Sequence, residues 1–456
     1  MRGWALLLPS LAVARVIFAI EMTRNGATAP MKFYPWDEGV WSVSPGELTP
    51  AGLRQQYLVG TQMRYQYLTQ QSLITPNISL SQVYMLSTDA GRTLMSAQAQ
   101  ALGLYPPGTG LSLNTAQILQ AVPPISVSNL QALQEELGSA ALPEFAAVVP
   151  IHGVETNSSV MLRPFDGGCQ RVTEFSTRIV NSPEVTAILA AYPSTWTTLA
   201  AASGLNSTEV QAELLYIHDS IEANIYFQSP LPFTPQELSD IEAIWTQVMT
   251  LLLTKNDNMN RLAGSPFLQE LMWQFYGVMD NVCCYTRKLS VYLSNGYSIL
   301  MVLAALGRKD VQMPPYASVL LFELNEVTPV TVPTYSVTVT LNDQPVHIPT
   351  CPYPSCPLNT FLKYVTFRSF PDAATQCEDS TSTDWGDLTP GREGELPNDR
   401  VEDATPWTLW FAVAFVLAVT GTGLVLVGVK VRRSRRLLGS RMDSMAHSGD
   451  FRLAVH

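Results

Sequence analysis

The chain has little charge of either sign. Only 14% of its 456 residues are charged, whereas globular chains usually carry about 25%. Lysine and arginine total 27 and aspartate and glutamate 38, so the formal net charge is −11. That balance argues against nucleic acid as a partner. The 46% of hydrophobic residues excludes a disordered chain, and the length suits two or three units with a sizeable core.

Histidine is also scarce, which limits the chemistry open to the chain. Of five histidines, those outside the C-terminal tail are His152, His218 and His347. They are scattered, and no Cys or His pair stands at the spacing of a zinc site. We therefore expect no metal and no cofactor. His218 adjoins Asp219 within a helical pattern, which indicates an ordinary pair on a helix surface, and His347 lies in a predicted strand.

A long apolar run near the C-terminus predicts a membrane helix. Residues 407–429 carry no charged side chain, and at about 1.5 Å per residue they span a hydrocarbon core of about 30 Å. Trp407 and Trp410 lie at its start, where aromatic rings favour the interface. Basic residues follow the run directly: Lys430, Arg432, Arg433, Arg435 and Arg436. The positive-inside rule then places the tail, 430–456, in the cytosol and the rest outside the cell or in a lumen.

The N-terminus supports export. Residues 1–14 look like a short signal peptide, with a positive charge before an apolar stretch and small residues at the cleavage position. The alternative is that residues 1–20 form one buried strand with an irregular start. Residues 378–406 are acidic and rich in Ser, Thr and Pro, which predicts a flexible stalk. The chain is therefore predicted to be a single-pass type I membrane protein, at the cell surface or in endosomes or lysosomes.

Cysteines and glycosylation motifs fit the same topology. The cysteines all precede the apolar run: Cys169, Cys283, Cys284, Cys351, Cys356 and Cys377. An even number in an oxidising compartment predicts disulfides rather than a metal site. Asn-X-Ser/Thr acceptors also lie on the exported side, at Asn77, Asn157 and Asn206.

The first part of the ectodomain alternates between strand and helix patterns. An apolar run at 16–21 predicts a strand that leads into a loop at 24–30. A helix at 51–70 follows, with Thr49 as its cap, and then a strand at 82–86 and a helix ending near 103. This succession predicts an α/β fold with a largely parallel sheet.

The later part begins with a helical region. Residues from about 128 to 284 show long helical patterns and little strand signal. Strand patterns return afterwards, near 316–324, 334–341 and 346–349. We therefore predict a mainly helical cap inserted into an α/β core formed by residues 15–127 and 285–377.

Four segments resemble the histidine acid phosphatases, branch 2 of the histidine phosphatase superfamily. They are 46–52 (GELTPAG), 87–97 (STDAGRTLMSA), 314–318 (PPYAS) and 351–358 (CPYPSCPL). Their order matches the family, although the last has one extra residue between its cysteines. The resemblance covers residues 15–377 and implies a phosphoglycerate-mutase-like fold, with a mixed, mostly parallel sheet flanked by helices. The membrane-anchored layout is similar to that of lysosomal and other membrane-bound acid phosphatases.

Members of this family hydrolyse phosphomonoesters through a phosphohistidine. A His in an R-H-G-x-R-x-P loop attacks phosphorus. Two Arg of that loop, a third Arg from the S-T-D-x-x-R segment and a second His hold the phosphoryl oxygens. An Asp beside the second His protonates the leaving group. This chemistry requires an unprotonated imidazole nitrogen, fixed forked donors and an acid.

The chain departs from the family pattern at the residues that react. In the loop 24–30 (RNGATAP), Arg24 matches the first Arg, but Asn25 stands at the nucleophile position and Thr28 at the second Arg. An amide nitrogen has no available lone pair, so Asn25 cannot form the covalent intermediate. Loss of a covalent nucleophile alone lowers a rate by as much as about 10⁶.

The second His and the acid are also replaced. At the expected place of the His-Asp pair, the chain has Ser294 and Asn295. The third Arg is kept as Arg92. His152 falls in a segment that is structural in the family, so no histidine takes over the missing role.

Arg24 and Arg92 thus survive from the family's phosphate clamp. One interpretation is a residual anion pocket that still holds phosphate or another acidic group. The neutral donors of such a pocket are Asn25, Thr28, Ser294 and Asn295. The other interpretation is that both arginines persist as buried structural ion-pair partners, with Asp89 or Glu21 as candidates.

The resemblance also implies two disulfides, Cys169 with Cys377 and Cys351 with Cys356. Cys283 and Cys284 have no assigned partner. A bridge from one of them to a second chain stays open, and it fits the homodimers common in the family.

Two functional hypotheses follow. The preferred one is a catalytically silent ectodomain, a pseudophosphatase that binds phosphorylated or anionic ligands at the cell surface or in endosomes. The alternative is an active acid phosphatase with atypical active-site residues.

Overall fold

The computed structural model describes residues 13–155, 158–279, 286–309, 312–328 and 334–378. All of them belong to the unit Met1–Trp385. Outside the described residues lie most of the predicted signal peptide, the stalk, the apolar run at 407–429, the tail, Asn157 and the pair Cys283–Cys284. Among the described helices, none is long and apolar enough to cross a membrane.

The described strands form one mixed sheet. They are β1 (Val13–Arg24), β2 (Val83–Thr88), β3 (Ile151–Val154), β4 (Leu289–Ser294), β5 (Val319–Thr328), β6 (Thr334–Leu341), β7 (Gln344–Pro345) and β8 (Ser355–Pro357). The order across the sheet is β3-β2-β4-β1-β5-β6-β7, with β8 paired to β6. The first four run parallel, whereas β5 to β8 pair antiparallel.

Helices cover the sheet and fill the insert. They are α1 (Pro50–Arg64), α2 (Gly91–Leu104), α3 (Thr115–Gln120), α4 (Leu130–Leu137), α5 (Gln170–Val180), α6 (Pro183–Ala190), α7 (Pro193–Ser203), α8 (Ser207–Ala212), α9 (Leu214–Tyr226), α10 (Pro235–Thr254), α11 (Asp257–Met279), α12 (Gly296–Ala305), α13 (Leu358–Arg368) and α14 (Ala373–Glu378). Helix α1 continues into a π-helical turn, Tyr65–Gln70. Thr49 caps α1 as predicted, since its Oγ1 accepts a hydrogen bond from Gly52 N at 3.1 Å.

Strand β1 lies in the middle of the sheet and is buried on both faces. Phe18, Ile20 and Met22 belong to the core cluster shared with α11, α12 and α13. Because successive strand residues point to opposite faces, Ala19 and Glu21 point to the other side. There Ala19 packs in the cluster shared with α1 and α2. A strand covered on both faces has a continuous apolar sequence, which is why the sequence predicted β1.

The segment after β1 anchors the insert through a buried carboxylate. Asp37 accepts hydrogen bonds from two side chains of α9, Ser220 Oγ at 2.7 Å and Asn224 Nδ2 at 2.6 Å. It also accepts from Tyr34 N at 2.9 Å and Trp41 Nε1 at 3.0 Å. The two bonds from α9 fix that helix against the segment that follows β1, and the other two hold Asp37 in place within the segment.

Some sequence expectations need correction. Strand β3 was not predicted, because it is only four residues long and half-exposed at the sheet edge. The predicted strand at 346–349 is wrong: strand β7 is Gln344–Pro345, and among the described residues only one further bond to β6 follows it, from Val346 N to Val339 O at 2.8 Å. His347 therefore lies after a strand and not within one. Strand β1 also begins earlier than expected, so residues 13 and 14 of the predicted signal peptide pair with β5.

Candidate functional site

The residues at the positions of the family's nucleophile loop and His-Asp pair meet where the parallel strands end. Arg24, the last residue of β1, is in register with Ser294, the last residue of β4. Ser87 of β2 is in register with Leu293. Ligands of α/β proteins bind at this carboxyl edge, so the topology alone marks it as the candidate site.

The loop after β1 is held in a tight backbone arrangement. A Cβ added to Gly26 would lie 2.2 Å from Gly52 O, and only glycine permits that approach. Thr49 Oγ1 donates to Ala27 O at 2.7 Å, and Gly26 N donates to Ser96 Oγ at 3.2 Å. The chain thus keeps a loop of fixed shape although its reactive side chains have changed.

Asn25 occupies the nucleophile position and is buried. Its backbone N donates to Ser294 O at 2.9 Å, and its side-chain Nδ2 donates to Gly26 O at 2.9 Å. The side-chain amide of Asn25 therefore stabilises the backbone of its own loop. Thr28, at the position of the second Arg, is buried beside Tyr316, with which its side chain interacts.

The residues at the His-Asp position serve the turn from β4 into α12. Ser294 is fully buried; its Oγ donates to Leu162 O and lies 2.8 Å from Ser298 Oγ. Asn295 caps α12, because its Oδ1 accepts from Ser298 N at 3.0 Å. Neither side chain is placed as a proton donor to a leaving group.

Arg24 is almost completely buried, at 6% exposure, and is held from several sides. Its Nη1 lies 3.2 Å from Glu222 Oε1 and also donates to Pro314 O. Its guanidinium stacks on the ring of Tyr316 at 4.1 Å. A Cβ added to Gly296 would lie 3.2 Å from Arg24 Cδ, so the first residue of α12 also packs against it.

Electrostatics keep Arg24 charged in spite of its burial. Burial alone would lower the pKa of this guanidinium, but the charges of Glu222 and Asp219, together with Tyr316, raise it above its ordinary value. An opposite charge within a few ångströms favours the ionised form. The sequence proposed Asp89 or Glu21 as ion-pair partners of Arg24 and Arg92; for Arg24 the observed partner is Glu222.

Helix α9 of the insert brings two carboxylates to the site. Asp219 and Glu222 are three residues apart and therefore share one face of the helix. Asp219 Oδ2 accepts from Met31 N at 2.7 Å. Burial raises the pKa of Asp219 to about 6; the Met31 amide and Arg24 oppose this shift, whereas Glu222 adds to it. The expected helix-surface pair is thus corrected, since Asp219 faces the candidate site.

Arg92, the other matching arginine, stands in the first turn of α2 and is half-buried. A Cβ added to Gly46 would lie 3.8 Å from Arg92 Nη1, so this guanidinium lies beside the turn that precedes α1. Gly46 N in turn donates to Pro30 O at 2.8 Å. Arg92 therefore flanks the end of the same loop that Arg24 begins.

The three histidines of the described residues have other roles. His218 is buried, stacks on Trp245 at 4.3 Å and bonds to Glu242 at 2.9 Å. His152 is exposed on β3 and stacks on Tyr84. None of them makes a hydrogen bond or ring contact with residues 24–30. Within the described part of the chain, no group of three or more His, Cys, Asp or Glu side chains is placed to hold a metal ion.

The remaining predicted sites are the disulfide cysteines and the glycosylation acceptors. Both implied disulfides are present, Cys169–Cys377 and Cys351–Cys356. Asn77 is exposed in a loop. Asn206 is exposed at the start of α8, where its Oδ1 accepts from Thr208 N and Glu209 N, each at 3.0 Å.

Comparison with known proteins supports the same relationship. A family model described as histidine phosphatase superfamily (branch 2) matches residues 11–342. The chain is similar to prostatic acid phosphatase of Mus musculus, 25% identical over 379 residues that cover 80% of this chain and 90% of that protein. It is similar to testicular acid phosphatase of Mus musculus, 26% identical over 459 residues that cover 95% of each. Among solved structures, Hafnia alvei phytase in complex with tartrate matches with a TM-score of 0.53 and 16% identity, over 79% of this chain and 98% of that one. This last likeness shows the fold alone.

Proposed function

We propose that the chain, which belongs to branch 2 of the histidine phosphatase superfamily, is an inactive member, a pseudophosphatase. In this proposal the acid-phosphatase-like domain does not turn over phosphomonoesters but binds phosphate or another anionic group. The observation that carries the proposal is Asn25 at the nucleophile position, with its amide bonded to Gly26 O at 2.9 Å.

The absence of turnover follows from the chemistry of the replaced side chains. The amide of Asn25 cannot attack phosphorus, and loss of a covalent nucleophile costs as much as about 10⁶ in rate. Ser294, fully buried and bonded to Leu162 O, cannot replace an imidazole clamp. Asn295 has no proton to give a leaving group at ordinary pH.

Anion binding rests on the two arginines. Arg24 presents a buried, permanently charged guanidinium at the carboxyl edge of the sheet, and Arg92 flanks the same loop. The neutral donors contribute less than the sequence suggested, because Asn25 and Ser294 donate to protein carbonyls. The proposed ligand is thus a small anion, such as phosphate or a phosphomonoester.

We propose in addition that this domain is displayed from a membrane. The apolar run at 407–429 and the basic residues after it favour a single-pass type I protein, with the domain at the cell surface or in endosomes or lysosomes. Assembly into a homodimer remains a prediction.

A turnover and binding assay tests the proposal. The full chain, purified in detergent, is mixed with p-nitrophenyl phosphate from about pH 4 to about pH 7, the range where acid–base groups of such enzymes work. We expect no turnover, together with binding of inorganic phosphate that Arg92→Ala abolishes and Lys363→Ala, an exposed control on α13, leaves unchanged. Turnover that Arg92→Ala abolishes would establish the alternative, an active phosphatase.

A further inference from the structure

We propose that Glu222 is an internal anion that occupies Arg24, so that an external phosphate or phosphomonoester binds only by displacing it. The inference rests on the proposed function and adds its regulation: helix α9 closes the anion site of its own chain. Asp219, one turn earlier on α9, assists this closure by its charge.

The contact between Glu222 and Arg24 has the form of a ligand contact. The two residues are 198 positions apart, on the insert and on β1, and Glu222 Oε1 lies 3.2 Å from Arg24 Nη1. A carboxylate against a guanidinium uses the same charge and donor geometry that a phosphate oxygen uses. Glu222 therefore fills one position that an external anion needs.

This contact is also displaceable. The side chain of Glu222 is 27% exposed, whereas that of Arg24 is 7% exposed. Among the described residues, Arg24 is the only hydrogen-bond partner of the Glu222 side chain. A rotation of Glu222 toward solvent thus frees Arg24 without breaking another hydrogen bond, while Pro314 O and the Tyr316 ring keep the guanidinium in place.

Asp219 adds a second negative charge on the same side. Its Oδ2 accepts from the Met31 amide, and its pKa responds to Glu222, to Arg24 on β1 and to His218 on its own helix. Besides burial, the charge of Asp219 in turn raises the pKa of Tyr34 and of Tyr316 in the flanking loops. With both carboxylates ionised they outweigh the single charge of Arg24. The attraction of Arg24 for an external anion is then offset, in addition to being blocked by Glu222.

Acidification weakens this barrier. Because burial raises the pKa of Asp219 to about 6, its charge is lost on passing from neutral to acidic solution. Arg24 keeps its charge throughout. The site therefore becomes more accessible to anions as pH falls because Asp219 is neutralised, while the anion itself still has to displace Glu222.

Phosphate titration of matched variants tests the inference. Isothermal titration of inorganic phosphate into the full chain in detergent is run at about pH 5 and about pH 7.5, on either side of the Asp219 transition. The variants are Glu222→Gln, Asp219→Asn and the control Glu184→Gln, which removes the same charge from an exposed pair with Lys255 on the insert. Gln keeps an oxygen for Arg24 but not the charge.

We expect Glu222→Gln to tighten phosphate binding about tenfold at both pH values, a change of the size seen when a single partly buried charge is removed. Asp219→Asn should tighten it only at the higher pH, and Glu184→Gln should match the wild type. If the wild type binds phosphate and Glu222→Gln binds no more tightly than Glu184→Gln, the internal-anion inference is wrong while the proposed function stands.

The two proposals fail differently. If no variant, Glu222→Gln included, binds phosphate at either pH, both the proposed function and the inference are overturned. If only Glu222→Gln binds, the internal anion is established and the wild-type site is closed. Should Glu222→Gln not fold, Asp219→Asn decides, because equal affinity of this variant and the wild type at the higher pH contradicts the inference.

Discussion

The buried carboxyl group of Glu21 makes a contribution to stability that is larger in acid than at neutral pH. Glu21 is fully buried on β1, on the face covered by α1 and α2. Its Oε1 accepts from Gln100 Nε2 at 2.6 Å and from the Thr23 hydroxyl, whereas its Oε2 has no partner. Burial raises its pKa from 4.5 to about 7, against the two hydrogen bonds that lower it.

The sign and size of the effect follow from linkage. The folded state binds the proton more tightly than the unfolded chain, so stability falls as pH rises from about 4.5 to about 7. A shift of about 2.5 units, at 1.36 kcal/mol per unit, corresponds to about 3 kcal/mol lost above neutrality. With an unfolding entropy of about 2.1 cal/mol/K per residue over roughly 360 residues, this lowers Tm by about 4 °C.

The substitution Glu21→Gln isolates this contribution, because glutamine keeps the acceptor for Gln100 and has no charge to bury. Thermal unfolding is followed calorimetrically at about pH 4.5 and about pH 7.5. We expect the variant to match the wild type in acid and to exceed its Tm by about 4 °C at the higher pH. Glu135→Gln, an exposed control on α4, should change neither value. An equal Tm difference at both pH values would refute the reasoning, since a packing effect does not depend on the proton.

Two further substitutions test the scaffold of the site. Gly26→Ala places a Cβ 2.2 Å from Gly52 O and should lower the free energy of unfolding by about 3 kcal/mol in denaturant titration, whereas Gly91→Ala, with no atom within 4 Å of the added Cβ, should be tolerated. Asp37→Asn replaces an acceptor of four hydrogen bonds by a group that also donates, and should cost about 2 kcal/mol. Its signature is faster amide hydrogen exchange in α9; unchanged exchange there would mean that Asp37 does not anchor the insert.

Residue patterns predicted β1, β2, β5 and β6, but not β4, although β4 is buried along its whole length. Strand β1 is an apolar run followed by a loop with Gly and Pro, so it is visible locally. Strand β3 is not, because four half-exposed residues at an edge carry almost no pattern. The family motifs then placed Arg24, Asn25 and Ser294 at one edge, and the structure brings them together there.

The charge environment of the site was less predictable. Glu21 is three residues before Arg24, and an odd spacing on a strand puts two side chains on opposite faces. The sequence alone therefore argues against an ion pair between Glu21 and Arg24. Glu222 was not recoverable, because its contact with Arg24 joins residues 198 positions apart through the packing of an inserted helix. The His218–Asp219 dipeptide drew attention to the right turn of α9, but not to the direction in which Asp219 points.

The bond between Cys169 and Cys377 ties the residue before α5 to α14 across 208 positions. It closes a covalent ring around the later helices of the insert, the strands from β4 onward, and α12 and α13. A single proteolytic cut anywhere within this ring leaves two polypeptides that remain one molecule until the disulfide is reduced. A nick in a surface loop between these two cysteines therefore does not release a fragment while the disulfide is intact.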